Sequence, residues 1–255
     1  MQSKIPTIDY KIISNQIGSS FNDELDKFNY AISNYGFLLL KNTPIDKKVK
    51  NNIKRELSVE FKTLDLLRHG EPIGGNVFRG VTDHALTELG WQQLVTATSY
   101  EEESPWEVIV TSPLTRCFKF AETLAAKLNI PLVVSDDLAE FDFGIWENQD
   151  MKKVFDEDFD RIKGMWDDPM NFAAPEGENL LNFEARVLKA WFGCLNRPEK
   201  KQLIICHGGV IRILLKEVLG LPFNNINRLD VPFACRSRVK VFGHEPYSYM
   251  LNAHN

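Results

Sequence analysis

From about residue 60 onward, short apolar runs alternate with stretches of helical period. FKTLDLL reads as a strand that ends at Arg68-His69-Gly70, and a helix is predicted from about Thr87 after a glycine-rich loop. EVIVTS is a second strand, followed by a helix from Leu114 to Leu128. PLVVSD is a third, followed by an acidic helix from Asp150 to Trp166 and another from Phe183 to Leu195. QLIICH runs into Gly208-Gly209 and a helix from Val210 to Leu219, and RSRVKVFG and PYSYMLN close the pattern as strands. Strands alternating with helices predict an α/β fold: an open, mostly parallel sheet covered on both faces, a three-layer α/β/α sandwich.

Ahead of a seam near Glu60 the pattern differs. IPTIDY is a short strand, Phe21, Leu25, Phe28 and Ile32 share one helical face, Gly36 ends that helix, FLLLKN is a buried-strand run, and Ile45 to Leu57 is a Lys-rich amphipathic helix. Residues 1–60 therefore read as a β-α-β-α appendage that buries little surface of its own, and residues 61–255 as the main domain.

Composition narrows the function. The chain has 255 residues and a net charge of −5, so it lacks the clustered positive charge of a nucleic-acid binder while leaving room for a small basic pocket. No apolar run is long enough to span a bilayer and MQSKIPTIDY lacks the plan of a signal peptide, so cytoplasm is the expected location, with no membrane partner. Cys117, Cys194, Cys206 and Cys235 show no C-x-x-C spacing and read as reduced thiols rather than a disulfide frame or a zinc site.

Three strand ends carry the chemistry: Arg68-His69-Gly70, Thr111-Ser112-Pro113-Leu114-Thr115-Arg116, and His207-Gly208-Gly209. Carboxyl ends of parallel strands converge on one edge of a sheet, where ligands bind. Two histidines and two arginines there would form an anion-seeking pocket, with glycines that let backbone amides approach the same anion.

LLRHGEP, TSPLTRC, LAEFDFGIWEN and ICHGG, in that order, resemble the histidine phosphatase (phosphoglycerate mutase-like) superfamily, and most nearly its short alpha-ribazole phosphatase-like members. Those members share RHGEP-x-GG, FRG-x-TD, LT-x-x-GW-x-Q and SPL-x-RC, and the resemblance runs from Leu64 to the end of the chain. It implies a phosphoglycerate mutase-like fold and these roles. His69 attacks phosphorus and becomes a phosphohistidine. Arg68, Arg116 and His207 hold the phosphoryl oxygens. Glu140 protonates the leaving group and later accepts a proton from water. Arg79 reaches the substrate or braces its loop. The arginines supply the positive charge, so neither metal nor other cofactor is expected.

Taken singly, each of these residues has a plainer reading: His69 and Arg116 as surface residues, His207 as a helix cap. Glu147 and Glu178 are neighbouring carboxylates whose plain reading is a surface role. The acidic segment Asp156 to Asp160 with Asp167-Asp168 reads as a solvated helix face, Asn76 is a weaker loop candidate, and His84, His244 and His254 read as structural or surface residues. Residues 1–58 resemble the amino-terminal segment of 2-oxoglutarate-dependent dioxygenases (IP-x-ID, then YGF and a leucine-rich strand). The chain has no H-x-D, so that iron site is not carried over, and the segment is an inert, docking or dimerising appendage or a fused fragment. The expected partners are a small phosphorylated substrate and a second copy of the chain in a homodimer. Three functions share the core residues: a phosphomonoesterase on a small metabolite such as alpha-ribazole 5′-phosphate, a phosphoglycerate mutase, and a phosphate-binding module without turnover. The short loop between His69 and Thr87 and the DFG-x-WE context favour the first.

Overall fold

The structure, a computed structural model, describes residues 7–9, 39–41, 61–99, 106–243 and 247–255. The chain divides into two compact units, Met1–Ser58 and Val59–Asn255. In the first, β1 (Thr7–Asp9) pairs in parallel with β2 (Leu39–Lys41), Thr7 opposite Leu39. These strands fall in IPTIDY and FLLLKN; the two helices expected beside them, and His244, lie outside the described residues.

The second unit is built on a six-stranded sheet of order β5-β4-β6-β3-β7-β8. Its strands are β3 (Phe61–Arg68), β4 (Val108–Thr111), β5 (Leu132–Val134), β6 (Lys201–Cys206), β7 (Arg236–Phe242) and β8 (Ser248–His254). β5, β4, β6 and β3 run parallel, and β7 and β8 extend the sheet antiparallel. The side-chain period of two sorts each central strand between two cores. Leu64, Leu66, Val110 and Ile204 face one cluster with helices α3 (Met151–Asp167), α4 (Leu180–Leu195) and α5 (Gly208–Leu219); Leu67, Ile109, Leu203 and Ile205 face another with α1 (Glu88–Ala97) and α2 (Thr115–Leu128). Apolar residues on both faces of a strand require helices on both faces of the sheet, which is the three-layer architecture observed.

Element boundaries differ from the sequence reading in three informative places. α4 begins at Leu180, before Phe183, because the Asn179 side chain accepts from Asn182 N at 2.7 Å and caps it there. α5 begins at Gly208, two residues before the expected Val210, so that Gly208 and Gly209 lie in its first turn. α3 bends at Asp158, whose backbone leaves helical values (φ −134°, ψ 31°) where its carboxylate accepts from Trp146 Nε1 at 3.0 Å. Elsewhere α3 has the solvated acidic face expected, with Asp156, Asp160, Asp167 and Asp168 exposed and an ion pair from Lys152 to Asp156 at 2.7 Å. The four cysteines are buried and free. Among the described residues no helix is long and apolar enough to cross a membrane, and no group of three or more side chains is placed to hold a metal ion.

One charge sits in the middle of the sheet. Asp65 in β3 is fully buried and lies opposite Arg238 of β7. Its two oxygens accept from Arg238 Nε and Nη2, each at 2.7 Å, and from Trp106 Nε1 at 2.9 Å. Removing one member of a buried pair leaves the other desolvated. Asp65→Ala is expected to lower unfolding stability by about 3 kcal/mol, read from the urea midpoint at constant slope, with little change in the active-site edge.

Candidate active site

Register brings the three chemistry-bearing strand ends together. Arg68 pairs with Cys206 and Thr111 with Ile205, so the residues that follow, His69, Ser112 and His207, emerge side by side from β3, β4 and β6. β6 lies between two strands that precede it in sequence, which opens the crevice at this edge.

His69 is 4% exposed. Its Nδ1 lies 2.7 Å from the carbonyl oxygen of Gly70, which can only accept, so Nδ1 carries the proton and Nε2 the lone pair. Burial, followed by the charges of Arg116 and Arg68, holds the imidazole well below its ordinary pKa, and the neutral form is the one present at pH 7. The turn after it is tight: a Cβ on Gly70 would stand 1.9 Å from the carbonyl oxygen of Gly90, so β3 and the start of α1 meet backbone to backbone.

The His207 ring lies 5.2 Å from that of His69, centroid to centroid, and like Arg116 it has no exposed surface. Arg116 Nε approaches His207 Nδ1 at 3.3 Å; a guanidinium only donates, so Nδ1 accepts and the proton rests on Nε2, which donates to Ser112 Oγ at 2.7 Å. Burial and the Arg116 charge hold this imidazole well below its usual pKa too. Cys117 packs on the same ring at 3.7 Å from Nε2, its thiol pushed up to about 12 by burial and therefore uncharged. Arg116 completes its bonding through Nη1 to Thr82 O at 2.8 Å and Nη2 to Gly80 O at 2.6 Å.

Arg68 donates from Nη1 to Val231 O at 2.5 Å, and its guanidinium carbon lies 4.2 Å from the centroid of the Phe233 ring. Its Nε is buried without a protein partner. Burial lowers its pKa to about 10, the Glu140 carboxylate opposing the shift and Arg212 and Arg116 adding to it, so it remains a cation.

Glu140 is 9% exposed and sits at the amino end of α5. Oε2 accepts from Gly209 N at 2.9 Å and Oε1 from Phe141 N at 3.0 Å. A Cβ on Gly209 would stand 2.4 Å from Oε1, so glycine is what lets the carboxylate reach the helix terminus. Behind it, Arg186 donates to the carbonyls of Asp137, Ala139 and Glu140 and pairs with Glu178 at 2.7 Å.

The structure thus gathers Arg68, His69, Arg116, His207 and Glu140 at one edge. Arg79 is turned toward its own loop, with Nε on His84 Nδ1 at 2.9 Å and Nη2 on the carbonyls of Ile73 (2.9 Å) and Gly75 (2.8 Å), and its charge still reaches His69. Asn76 is exposed and its carbonyl accepts from Met151 N at 3.0 Å. Two readings as surface carboxylates are corrected. Glu178 is the half-buried ion-pair partner of Arg186. Glu147 accepts from the backbone N–H groups of Gly80, Val81, Thr82 and Phe143 at 3.0–3.2 Å and from the Thr82 hydroxyl. It therefore fixes the loop whose carbonyls hold Arg116. His254 also has partners, Ser237 Oγ and Asp230 O, each at 2.7 Å. Sequence reasoning missed Ser112 as the acceptor for His207, Asp83, which caps α2 by accepting from Thr115 N (2.6 Å) and Oγ1 (2.7 Å), and Phe233. Ser112 and Asp83 lay inside the quoted motifs; nothing local to Phe233 marked it.

Residues 64–254 match the model of the "Histidine phosphatase superfamily (branch 1)". "Probable phosphoglycerate mutase GpmB" of Erwinia tasmaniensis is 30% identical over 177 residues, 68% of this chain and 82% of that protein. "Uncharacterized phosphatase PhoE" of Bacillus subtilis is 30% identical, covering 74% of this chain and 94% of that one. Among solved structures, Bacillus stearothermophilus YhfR superposes with a TM-score of 0.68 at 25% identity over 75% of this chain and 95% of its own. The alpha-ribazole phosphatase from Shigella flexneri shares the fold, with a TM-score of 0.66 at 22% identity over 76% of this chain and 96% of its own. The chain belongs to the histidine phosphatase superfamily, branch 1, and is an enzyme of that type.

Proposed function

We propose that the chain is a phosphomonoesterase that hydrolyses a small phosphorylated metabolite through a phosphohistidine at His69. The observation that carries this is the His69 tautomer: a hydrogen bond from Nδ1 to Gly70 O leaves a lone pair on Nε2, in a ring held beside His207, Arg68 and Arg116. In the first step the Nε2 lone pair forms an N–P bond as the P–O bond to the leaving group breaks, and the acid form of Glu140 gives its proton to that oxygen. In the second, a water oxygen attacks phosphorus, its proton returns to Glu140, and the N–P bond breaks to release orthophosphate. Arg68, through the unpartnered Nε, and Arg116 neutralise the phosphoryl oxygens. His207 has both nitrogens engaged by Arg116 and Ser112. A dianion beside them is a stronger acceptor for Arg116 Nε than the imidazole and raises the proton affinity of His207, which then donates to the same oxygen shell. Arg79 adds charge and shapes the loop over the substrate.

Alpha-ribazole 5′-phosphate heads the substrates to test, on the strength of the shared motifs. Phosphoglycerate mutase activity is the second reading, favoured by the similarity to the GpmB protein.

Three outcomes are expected. With a panel of small phosphomonoesters in EDTA, the protein releases phosphate and acid-labile, base-stable label accumulates on it; His69→Ala loses both, with turnover down by about 10⁴-fold or more. Unchanged turnover in that variant sinks the assignment, and conversion of 3-phosphoglycerate to 2-phosphoglycerate without free phosphate selects the mutase reading. Glu140→Gln is expected to slow alkyl phosphates by about 10²–10⁴-fold while sparing p-nitrophenyl phosphate, whose leaving group needs no proton; equal losses on both would remove Glu140 from the acid role. Finally, because the folded pKa values of His69 and His207 are lowered, both rings stay neutral as pH falls through 6.5. Nitrogen-15 spectra of histidine-labelled protein between pH 7.5 and 5.5 should show these two rings not titrating, and an ordinary titration of His69 would contradict the electrostatics of the site.

A further inference from the structure

Beyond the residues assigned above, the segment Val231–Cys235 holds the Arg68-His69 dipeptide at successive positions. Val231 O accepts from Arg68 Nη1 at 2.5 Å, Ala234 N donates to His69 O at 3.1 Å, and Cys235 O accepts from Arg68 N at 3.0 Å. Ala234 adopts a left-handed backbone (φ 57°), which its Cβ disfavours and which the hydrogen bonds of Ala234 and Cys235 to the dipeptide over-determine. That corner delivers the Phe233 ring to the site, 4.2 Å from the Arg68 guanidinium carbon and 5.7 Å from the His69 ring centroid. Phe233 is 37% exposed, so core burial alone does not account for it.

We propose that Phe233 is a positioning residue for Arg68, its ring face holding the plane of the guanidinium so that the Nε edge is presented to the phosphoryl group. The proposal rests on the phosphatase reading only in naming that group; the anion site itself is what it explains. A ring on one face and Val231 O at Nη1 fix the guanidinium plane, while Nε, buried and without a protein partner, lies 3.4 Å from the point where a side chain on Gly208 would begin. Glycine at 208 leaves that edge open. The negative face of the ring also offsets the proximity of like charges, since Arg116 and Arg212 both act on Arg68. Phe233 therefore supplies attraction without occupying the in-plane donors that a carboxylate partner would take.

The test is a double-mutant cycle on the whole chain, read by titration calorimetry with orthophosphate and orthovanadate and by kcat and KM. Phe233→Leu keeps apolar bulk and loses the quadrupole, whereas Phe233→Tyr keeps both. Leucine is expected to weaken oxyanion binding and lower kcat/KM by about three- to thirty-fold with an unchanged melting temperature, and tyrosine to restore both. In an Arg68→Ala background the same leucine substitution should change oxyanion affinity by less than about twofold. A leucine variant that binds like the parent overturns the proposal. So does a loss undiminished in the Arg68→Ala background, which would make Phe233 a direct ligand contact. Should the leucine variant melt early, Phe233→Met takes its place. Binding is read without turnover, so a parent protein that binds oxyanions but hydrolyses nothing would refute the phosphatase reading while leaving this cycle interpretable.

Discussion

A guanidinium with no exposed surface is expensive to bury, and much of the candidate site's edge is arranged around satisfying one. Arg116 is met by two carbonyls, from Gly80 and Thr82, and by one imidazole nitrogen. Glu147 gathers the amides of the same loop and so helps to fix where those carbonyls lie. The carboxylate thus acts on the arginine at one remove: it offsets the charge through space and orients the dipoles that contact it. None of these partners is a carboxylate in direct contact with Arg116, so the cation remains available to an anion that arrives later.

The same logic keeps both imidazoles neutral. Desolvation and the neighbouring arginines disfavour a third or fourth positive charge, and each ring is locked into one tautomer by a partner of fixed polarity, a carbonyl for His69 and a guanidinium for His207. A neutral, oriented imidazole among cations has a lone pair ready and an electrostatic field that favours a dianion beside it. Glu140 completes the set from the amino terminus of α5, where a backbone amide holds one oxygen and glycine removes the side chain that would displace it.

Much of this was legible in the chain because it is local. The apolar run FKTLDLL read as a strand, and its end carried Arg68 and His69; the same holds for QLIICH and His207. Arg116, in the first turn of a helix that follows a strand, was placed by the same alternation. Less legible were residues whose role depends on distant backbone. Glu147 looked like one of several carboxylates, and its meaning came from amides more than sixty positions earlier. Asp65 carried no local signal, because its partners Arg238 and Trp106 come from segments far along the chain.

The sequence by itself determined the alternation of elements, the polarity of each strand end and the identity of the charged groups at those ends, since period, capping and residue type are properties of neighbouring residues. Tertiary structure alone decided strand order and register, and with them that three strand ends far apart in the chain, such as Arg68 and Cys206, share one edge. It also decided which way each ring and guanidinium faces. Orientation is set by hydrogen bonds and ring contacts from segments far away in the chain, such as Val231 to Cys235 against Arg68, and those pairings have no local signature.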